Sequence, residues 1–341
     1  MTEKIKIEAP KVFDIIKNAE RILLHCHPGP DPDSVGSALA MKFALEGLGK
    51  KVVLIRGDGP MPEGFSHFLG FETIVNKDLS GILQDVRAGV ESFDLFIILD
   101  SASMIRITQV PNVTLPATIK TLVIDHHQGE SGFPLGYNLV DTSYPATAML
   151  LYDLFTLWNI TLTPSIAANL FIGIYADTGG FRYAGVNSEV FSAAAKLAEV
   201  YPQFHEIIFK MDNNKTPAEL AFEGLALDTI ETFNDGHLAI AAVSLEMFSK
   251  AKMNPDDASA SYIATKLRSV KGWDVVVCCV ETELGVTKVS FRTRDADAYD
   301  LSKIAASLGG GGHRAAAAAI IKAPFSEVKK RIVDAVMAYK A

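Results

Sequence analysis

Residues 120–127 read Lys-Thr-Leu-Val-Ile-Asp-His-His, a short apolar run that ends in one acid and two imidazoles. Three further apolar runs precede it, at 21–26, 51–55 and 93–99. All four are continuous rather than alternating, which is typical of strands buried on both faces of a parallel sheet. Residues 34–47, between the first two runs, have apolar residues at helical spacing. Strands that alternate with helices predict an open α/β sheet in this half of the chain.

The length of 341 residues exceeds that of an average domain, so the sequence predicts two domains. We expect the first domain at 1–187, a linker at 188–215 and a second domain at 216–341. The second domain mixes predicted helices and strands and should form a smaller mixed-sheet α/β unit. The alanine run at 315–319 has high helix propensity, but it leads into two isoleucines and we expect a strand there.

Composition and charge narrow the class of protein. The chain is 49% hydrophobic and 21% charged, as ordinary globular proteins are. Its net charge of −8 argues against a basic face that would grip long double-stranded nucleic acid. Residues 216–341 carry 15 Lys and Arg against 16 Asp and Glu, so −7 of that charge lies in residues 1–215.

The expected cellular compartment is inferred from three kinds of signal: apolar spans, a signal peptide and cysteine spacing. No apolar run reaches the length of a bilayer span, and the first residues do not resemble a signal peptide. The cysteines Cys26, Cys278 and Cys279 have no spacing typical of a disulfide framework or a zinc site. We therefore expect a cytoplasmic protein without a membrane partner.

Acids and imidazoles gather where the predicted strands reach their carboxyl ends, the edge at which open α/β sheets bind ligands. The side chains concerned are His25, His27, Asp31, Asp33, Asp100 and Asp125, with Asp177 after a predicted helix. A single acid after a strand is commonly the cap of the next helix, and a single histidine is more often structural than a ligand. Several carboxylates at one edge, however, repel one another unless cations compensate.

The donor atoms indicate which cations would fit. Two divalent ions balance the charge of four carboxylates, namely Asp31, Asp33, Asp100 and Asp177. Carboxylates with imidazoles and no thiolate favour manganese or magnesium over a closed zinc site. We expect two Mn²⁺ ions, with Mg²⁺ or Co²⁺ as substitutes. Such a pair can activate a water and clamp a phosphoryl group for in-line attack.

Four segments also resemble, in order, the motifs of the DHH phosphoesterases. The triplet after which that family is named stands here as Asp125-His126-His127. The other three are His-Pro-Gly-Pro-Asp-Pro-Asp-Ser-Val-Gly-Ser at 27–37, the isolated Asp100 after an apolar run, and Asp-Thr-Gly-Gly-Phe at 177–181. The second half resembles the C-terminal domain associated with this family, and the whole chain is most similar to its nanoRNase and pAp-phosphatase branch.

The resemblance implies a role for each residue of the metal centre. One ion would be held by His27, Asp31 and Asp100, which selects His27 over His25. The other would be held by Asp33, Asp100, His126 and Asp177. The catalytic residues would be His127, facing the scissile phosphate, and Asp125, orienting an imidazole.

The resemblance also implies a substrate-binding region in the second domain. Its residues are Arg292, Arg294, Gly309, Gly310, Gly311, Gly312 and His313. Glycines adopt positive φ and let backbone N–H groups approach an anion, while arginine and histidine add charged donors. Related chains usually have a glycine soon after the histidine, whereas here Arg314 and five alanines follow, and this departure bears on base recognition.

These features predict a manganese-dependent phosphoesterase that hydrolyses short oligoribonucleotides, 3′-phosphoadenosine 5′-phosphate (pAp) or both. The reaction would be hydroxide attack on phosphorus, at a site in the cleft between the domains. Cyclic or linear dinucleotides are an alternative substrate. A pyrophosphatase or exopolyphosphatase and a non-catalytic nucleotide sensor are less favoured. Short RNA or small nucleotide phosphates are the expected partners, and a homodimer is compatible with the sequence, which ranks neither the substrates nor the cleavage direction.

Overall fold

The computed structural model describes residues 1–101, 103, 106–127, 136–213 and 215–340, and every structural statement below refers to these ranges. The chain divides into two compact units, Met1–Asn214 and Lys215–Ala341. Within the described ranges, each helix is too short or too polar to cross a membrane.

The first unit is built on a five-stranded parallel sheet with the order β2-β1-β3-β4-β5. Its strands are β1 Arg21–His25, β2 Lys51–Ile55, β3 Leu95–Leu99, β4 Lys120–Asp125 and β5 Gly136–Val140. The four apolar runs are therefore confirmed as strands. The sequence analysis did not predict β5, because this edge strand is half exposed and lacks a continuous apolar run. Since β1, β3 and β4 lie side by side, the loops at their carboxyl ends are neighbours.

Helices cover both faces of this sheet. They are α1 Glu3–Lys17, α2 Pro32–Gly47, α3 Leu79–Arg87, α4 Thr147–Leu157, α5 Pro164–Asp177, α6 Ser188–Val200 and α7 Phe204–Asp212. Alternate strand residues enter opposite cores, so Leu24 packs with α2 and α5 while Leu23 packs with α3. The result is the three-layered parallel-sheet domain that the sequence predicts.

Helices α2 and α5 approach each other very closely, and this approach places two of the predicted acids. A Cβ at Gly36 of α2 would lie 2.5 Å from the carbonyl oxygen of Asn169 in α5. A Cβ at Gly173 would lie 2.7 Å from Oδ1 of Asp33. The two glycines therefore let the start of α2, with Asp33, meet the end of α5, where Asp177 is the last residue.

Residues 188–215, which the sequence predicts as a linker, differ from that expectation in the structure. They contain α6 and α7, and the apolar sides of both helices are buried in the first core through Val190, Leu197 and Ile207. Helix α7 ends at Asp212, and Asn213 follows it as the C-cap. The helices thus belong to the first unit because their apolar faces need its core.

The second unit is built on a six-stranded mixed sheet with the order β10-β11-β9-β8-β7-β6. Its strands are β6 Glu231–Phe233, β7 Leu238–Val243, β8 Val275–Glu283, β9 Val286–Thr293, β10 Gly311–His313 and β11 Ala316–Lys322. Only β7 and β8 pair in parallel among the described strands of this sheet. Strand β11 confirms the expectation for the alanine run.

Five helices cover the second sheet. They are α8 Pro217–Asp228, α9 Leu245–Ala251, α10 Ala260–Leu267, α11 Leu301–Ser307 and α12 Phe325–Lys340. One core lies between the sheet and α11 with α12, and the other lies on the opposite face under α8, α9 and α10. The predicted mixed-sheet second domain is therefore confirmed.

Candidate metal centre

Three neighbouring strands bring the predicted acids and imidazoles to one edge of the first sheet. His27 follows β1 by two residues, Asp100 directly follows β3, and Asp125 ends β4. Asp100 has a φ of 58°, a left-handed conformation in which asparagine and aspartate are enriched among residues with side chains. This conformation turns the chain as it leaves β3, while the backbone N–H of Asp100 still pairs with Ile124.

The first group of candidate ligands is His27, Asp31 and Asp100. Nε2 of His27 lies 3.7 Å from Oδ2 of Asp31 and 3.6 Å from Oδ2 of Asp100. These separations are too long for direct hydrogen bonds, and all three donor atoms lie within 4.8 Å of one another. Asp31 also caps α2, since its Oδ1 accepts a hydrogen bond from the Ser34 N–H at 2.9 Å. One carboxylate oxygen of Asp31 therefore caps the helix, as the sequence pattern suggests, and the other oxygen faces His27.

The second group is Asp33, His126 and Asp177, whose donor atoms also lie within 4.8 Å of one another. Nε2 of His126 lies 3.2 Å from Oδ2 of Asp177 and 3.5 Å from Oδ1 of Asp100. Asp100 therefore stands between the two groups and faces both imidazoles. The resemblance implies these two groups as ligand sets, with Asp100 added to the second, and that assignment stays a prediction.

The ring orientations of the two imidazoles fit a divalent ion. Nδ1 of His27 lies 3.0 Å from the carbonyl oxygen of Pro28, and Nδ1 of His126 lies 3.1 Å from that of Tyr144. A carbonyl can only accept, so both rings must carry a proton on Nδ1, and in the neutral ring Nε2 holds the lone pair. Both Nε2 atoms and Oδ2 of Asp100 are buried without a hydrogen-bond partner among the described residues. Buried donors and acceptors of this kind need a partner, and a cation between them would be one.

Asp33 is held by the first turn of α4. Its two carboxylate oxygens accept hydrogen bonds from the backbone N–H groups of Thr147 at 2.7 Å and Ala148 at 3.0 Å. The residue before α4 is Ala146, which has no side chain to cap the helix, so Asp33 caps it from α2. Its remaining lone pairs are available to an ion.

Thr147, a residue that was not predicted from the sequence, also holds Asp100. Its hydroxyl donates a hydrogen bond to Oδ1 of Asp100 at 2.9 Å, and the residue is fully buried. One residue at the start of α4 thus positions Asp33 through its N–H and Asp100 through its hydroxyl. The only signal in the sequence is a helix that begins after Ala146 without a local cap, which requires an acceptor from elsewhere.

Asp125 orients the last imidazole of the triplet. Its Oδ1 accepts hydrogen bonds from the backbone N–H of His126 at 2.8 Å and of His127 at 3.1 Å, and it lies 2.8 Å from Nδ1 of His127. Asp125 is fully buried, whereas the His127 side chain is 26% exposed. The acid therefore fixes the imidazole so that Nε2 points away from it.

His25 has a different environment from His27. Its ring packs against Phe96, with centroids 5.2 Å apart, and it belongs to neither group of candidate ligands. Burial lowers the pKa of His25 to about 4, so the ring is neutral. Since successive side chains of a strand point to opposite faces, His25 lies on the side of Leu23, away from α2.

The charges of the site compete for protons. Burial raises the pKa of Asp33 well above its usual range, and the nearby Asp100 and Asp177 raise it further. Burial lowers the pKa of His27, but its interactions with Asp100 and Asp31 outweigh burial and raise the pKa to about 10. The pKa of His126 is also raised, because its acidic neighbours outweigh the effect of burial. Positive charge stabilises such a set of acids, and divalent cations would provide it by displacing the protons of the imidazoles and carboxyl groups.

The predicted arginines of the second unit have different environments. Arg292 is half-buried on β9, and its Nη1 donates to the Ser290 hydroxyl at 3.2 Å and to the Phe291 carbonyl at 2.9 Å. Nη1 of Arg294 instead donates to the carbonyls of Arg268, Ser269 and Val270 at 3.0 to 3.3 Å. These carbonyls belong to the C-cap residue of α10 and the two residues after it, so Arg294 stabilises the end of that helix.

The glycine cluster differs in part from the predicted anion-binding loop. Gly309 has a φ of 80° and follows α11, but Gly311, Gly312 and His313 form the edge strand β10, which pairs with β11. A Cβ at Gly310 would overlap Ala318, and one at Gly312 would approach Ala317 within 3 Å. Two of the four glycines are therefore required by close packing on the alanines of β11. His313 is exposed at the end of β10.

Comparisons with known proteins agree with this architecture. Residues 21–174 match the N-terminal domain of the DHH family, and residues 235–340 match the DHHA1 domain. The chain is 31% identical over 328 residues to the bifunctional oligoribonuclease and PAP phosphatase NrnA of Thermus thermophilus, which covers 95% of this chain and 92% of the relative. The chain belongs to the DHH family.

Two further relatives of this DHH-family chain extend the comparison. The probable bifunctional oligoribonuclease and PAP phosphatase NrnA of Streptococcus mutans is 28% identical over 89% of this chain and 90% of its own length. The crystal structure of an exopolyphosphatase-related protein from Bacteroides fragilis superimposes with a TM-score of 0.86 at 20% identity, covering 98% of this chain and 97% of that one. The latter likeness shows the shared fold alone.

Proposed function

We propose that this DHH-family protein is a metal-dependent phosphoesterase that hydrolyses short oligoribonucleotides, pAp or both. The curated relatives in Thermus thermophilus and Streptococcus mutans carry these two activities in their names and match the chain over nearly its whole length. The single observation that carries the proposal is the pair of buried Nε2 atoms of His27 and His126, which have no hydrogen-bond partner among the described residues and face the same carboxylate of Asp100.

Two divalent ions fit the donor set. His27, Asp31 and Asp100 would hold one of them, and Asp33, Asp100, His126 and Asp177 would hold the other. Oxygen donors with a few imidazoles and no thiolate favour Mn²⁺, with Mg²⁺ or Co²⁺ as substitutes. When bound, two such ions neutralise charge on a phosphoryl group and lower the pKa of a water.

In the triplet, His127 would contact the substrate and Asp125 would act through His127. Asp125 holds Nδ1 of His127, so Nε2 of the partly exposed ring is the atom that would meet a phosphoryl oxygen. A donor already aimed at the place where negative charge develops stabilises the transition state without reorganising. Asp125 is the positioning residue in this scheme, and Thr147 has the same role for Asp100.

The second unit would bind the remainder of the substrate. Arg292 and the exposed His313 would provide N–H donors for a phosphate or a base, whereas the N–H groups of Gly309 and Gly310 already donate to the carbonyls of Ala306 and Ala305. Because the Arg294 guanidinium is held at the end of α10, we expect its contribution to be mainly structural. We further propose that the first unit carries the chemistry and the second unit recognises the nucleotide.

One substrate panel tests the proposal. Metal-free protein is supplied with Mn²⁺, Mg²⁺ or Co²⁺ and assayed on pAp, pApA, cyclic di-AMP, RNA of two to five nucleotides, and pyrophosphate. His126→Ala should be nearly inactive, whereas His205→Ala, an exposed histidine of α7, should match the wild type. The proposal fails if the protein with any of these metals cleaves neither pAp nor short RNA. Cleavage of pyrophosphate alone would point to a pyrophosphatase.

A further inference from the structure

The loop after Asp177 has an uncommon backbone. Gly179, Gly180 and Phe181 lie consecutively in the left-handed region, with φ values of 60°, 68° and 63°. Phe181 has a side chain, so its Cβ approaches the following carbonyl oxygen and the conformation is unfavourable. Residues of this kind persist only where the surrounding structure holds them, and they cluster at sites that bind ligands. The backbone therefore marks residues 179–183, called the platform loop below, as a candidate functional surface.

The platform loop is held from inside by Thr178. The Thr178 hydroxyl donates to the Ile174 carbonyl at 2.7 Å and accepts a hydrogen bond from the Phe181 N–H at 3.0 Å. The Thr178 carbonyl accepts from the N–H groups of Arg182 at 2.9 Å and Tyr183 at 3.0 Å. The buried Thr178 thus organises the whole loop and ties it to the end of α5.

Aromatic packing holds the loop from its other side. The Phe181 ring lies 6.2 Å from Phe171, 5.8 Å from Tyr175 and 5.5 Å from Phe191 between centroids. These contacts leave Phe181 partly buried against the first core and stabilise the loop. Phe181 is therefore held by the Thr178 hydroxyl and by three aromatic rings, and Arg182 and Tyr183 follow it directly in the chain.

Tyr183 is the side chain that the platform loop presents. Its ring lies across the backbone of Gly179, where a Cβ would overlap three ring atoms, and yet the residue is 48% exposed. Only glycine at 179 lets the ring take this position. The hydroxyl end of the ring is the part that lies on Gly179. Gly179 comes two residues after Asp177, so no more than about 7 Å of chain separates it from a candidate metal ligand. Arg182, beside it, is exposed and adds a positive charge.

We propose that Tyr183 is a stacking platform for a nucleobase of the substrate, next to the phosphate held at the metal centre. This inference rests on the proposed phosphoesterase function and adds a residue that recognises the base. An aromatic ring that rests on the backbone and is about half exposed can stack with any base, because every base has a π face. Tyrosine has few rotatable bonds, so holding it in place costs little conformational entropy. The platform favours substrates with a base beside the scissile phosphate and does not discriminate among bases.

The experiment compares substrates with and without the base. Mn²⁺-loaded full-length protein is assayed on pApA and on two analogues, each with an abasic sugar at one of the two positions. The variants are Tyr183→Ala, Tyr183→Phe and, as a control, Phe209→Ala, which removes an aromatic ring of α7 that is even more exposed than that of Tyr183. Tyr183→Ala should raise KM for pApA about ten-fold and change kcat by less than about two-fold. Tyr183→Phe and Phe209→Ala should behave as the wild type.

The abasic analogues separate stacking from a structural role. For the analogue that lacks the stacked base, wild type and Tyr183→Ala should have equal KM values. Equal effects of Tyr183→Ala on all three substrates, or no effect on any, would overturn the proposal. A lower affinity for Mn²⁺ in Tyr183→Ala, measured by calorimetry, would also overturn it, since the ring would then act by shaping the loop near Asp177.

Binding measurements distinguish this proposal from the proposed function. A fluorescent dinucleotide with a non-hydrolysable linkage is titrated into wild type and Tyr183→Ala, with anisotropy as the readout. If the wild type cleaves no nucleotide but binds the probe more tightly than Tyr183→Ala does, the phosphoesterase function fails and the platform stands. If the wild type cleaves pApA and both proteins bind the probe equally, the platform fails and the phosphoesterase function stands.

Discussion

Thr147→Val tests whether the start of α4 sets the metal affinity of the site. Valine has the shape of threonine, so the change removes only the hydroxyl that donates to Asp100 at 2.9 Å and keeps the N–H that donates to Asp33. Because Thr147 is fully buried, no water replaces the lost donor. A hydrogen bond to a charged acceptor contributes about 1.5–3 kcal/mol. Losing a residue that orients a ligand weakens metal binding about 10–100-fold, or about 1.4–2.8 kcal/mol, so the two magnitudes agree.

The assay is a calorimetric titration of metal-free protein with Mn²⁺. Thr147→Val should raise the dissociation constant about 10–100-fold and recover activity at saturating Mn²⁺. The control is Thr156→Val near the end of the same helix, whose exposed hydroxyl donates to the Tyr152 carbonyl at 2.9 Å, and its Mn²⁺ affinity should not change. The reasoning is refuted if Thr147→Val binds Mn²⁺ as the wild type does. It is also refuted if both variants weaken binding equally.

Three further predictions concern packing, pH and the second unit. Gly173→Ala should lower the free energy of unfolding of the metal-free protein in urea by about 1–3 kcal/mol, because its Cβ would lie 2.7 Å from Asp33 Oδ1. The control Gly47→Ala, whose Cβ meets no atom within 4 Å, should leave the free energy of unfolding unchanged. Equal values for the two variants would contradict the packing argument. Mn²⁺ affinity should rise from about pH 6 to about pH 8, because the raised pKa values of the two ligand imidazoles keep them protonated and a cation must displace those protons. Calorimetry in buffers of different ionisation enthalpy should show proton release, and affinity independent of pH would exclude this competition. Arg294→Ala should lower the melting temperature of the second unit and leave KM unchanged, whereas Arg292→Ala should raise KM. The two measurements are thermal melts and steady-state kinetics. The reverse pattern would assign substrate binding to Arg294.

The strands and the position of the acids at the edge of the sheet could be predicted because their signals are local. A continuous apolar run marks a strand buried on both faces, and a residue directly after such a run must lie at the carboxyl edge of the sheet. This reasoning places Asp100 and Asp125 correctly, and the spacing within 27–37 identifies His27 through the family resemblance. In the structure His27 lies beside Asp31 and Asp100, whereas its role as a metal ligand stays a prediction.

The elements that escaped prediction depend on partners distant in sequence. The helices at 188–213 read as a connection because their polar residues are visible in the sequence and the core that their apolar faces need is not. Strand β5 is half exposed, and the carbonyls at 268–270 that hold Arg294 are more than twenty residues away from it in sequence. Each of these depends on which surfaces meet after the chain has folded.

The sequence by itself therefore determined the parallel sheet, the edge at which the acids collect and the residue types offered to a metal. Only the tertiary structure decided how those acids are held. Asp33 reaches Thr147 because glycines at 36 and 173 let α2 approach α5 and α4, and Asp100 turns through a left-handed φ to meet the same threonine. Side-chain periodicity is a property of one segment, whereas a hydrogen bond between residues 33 and 147 exists only when helix packing brings their backbones together.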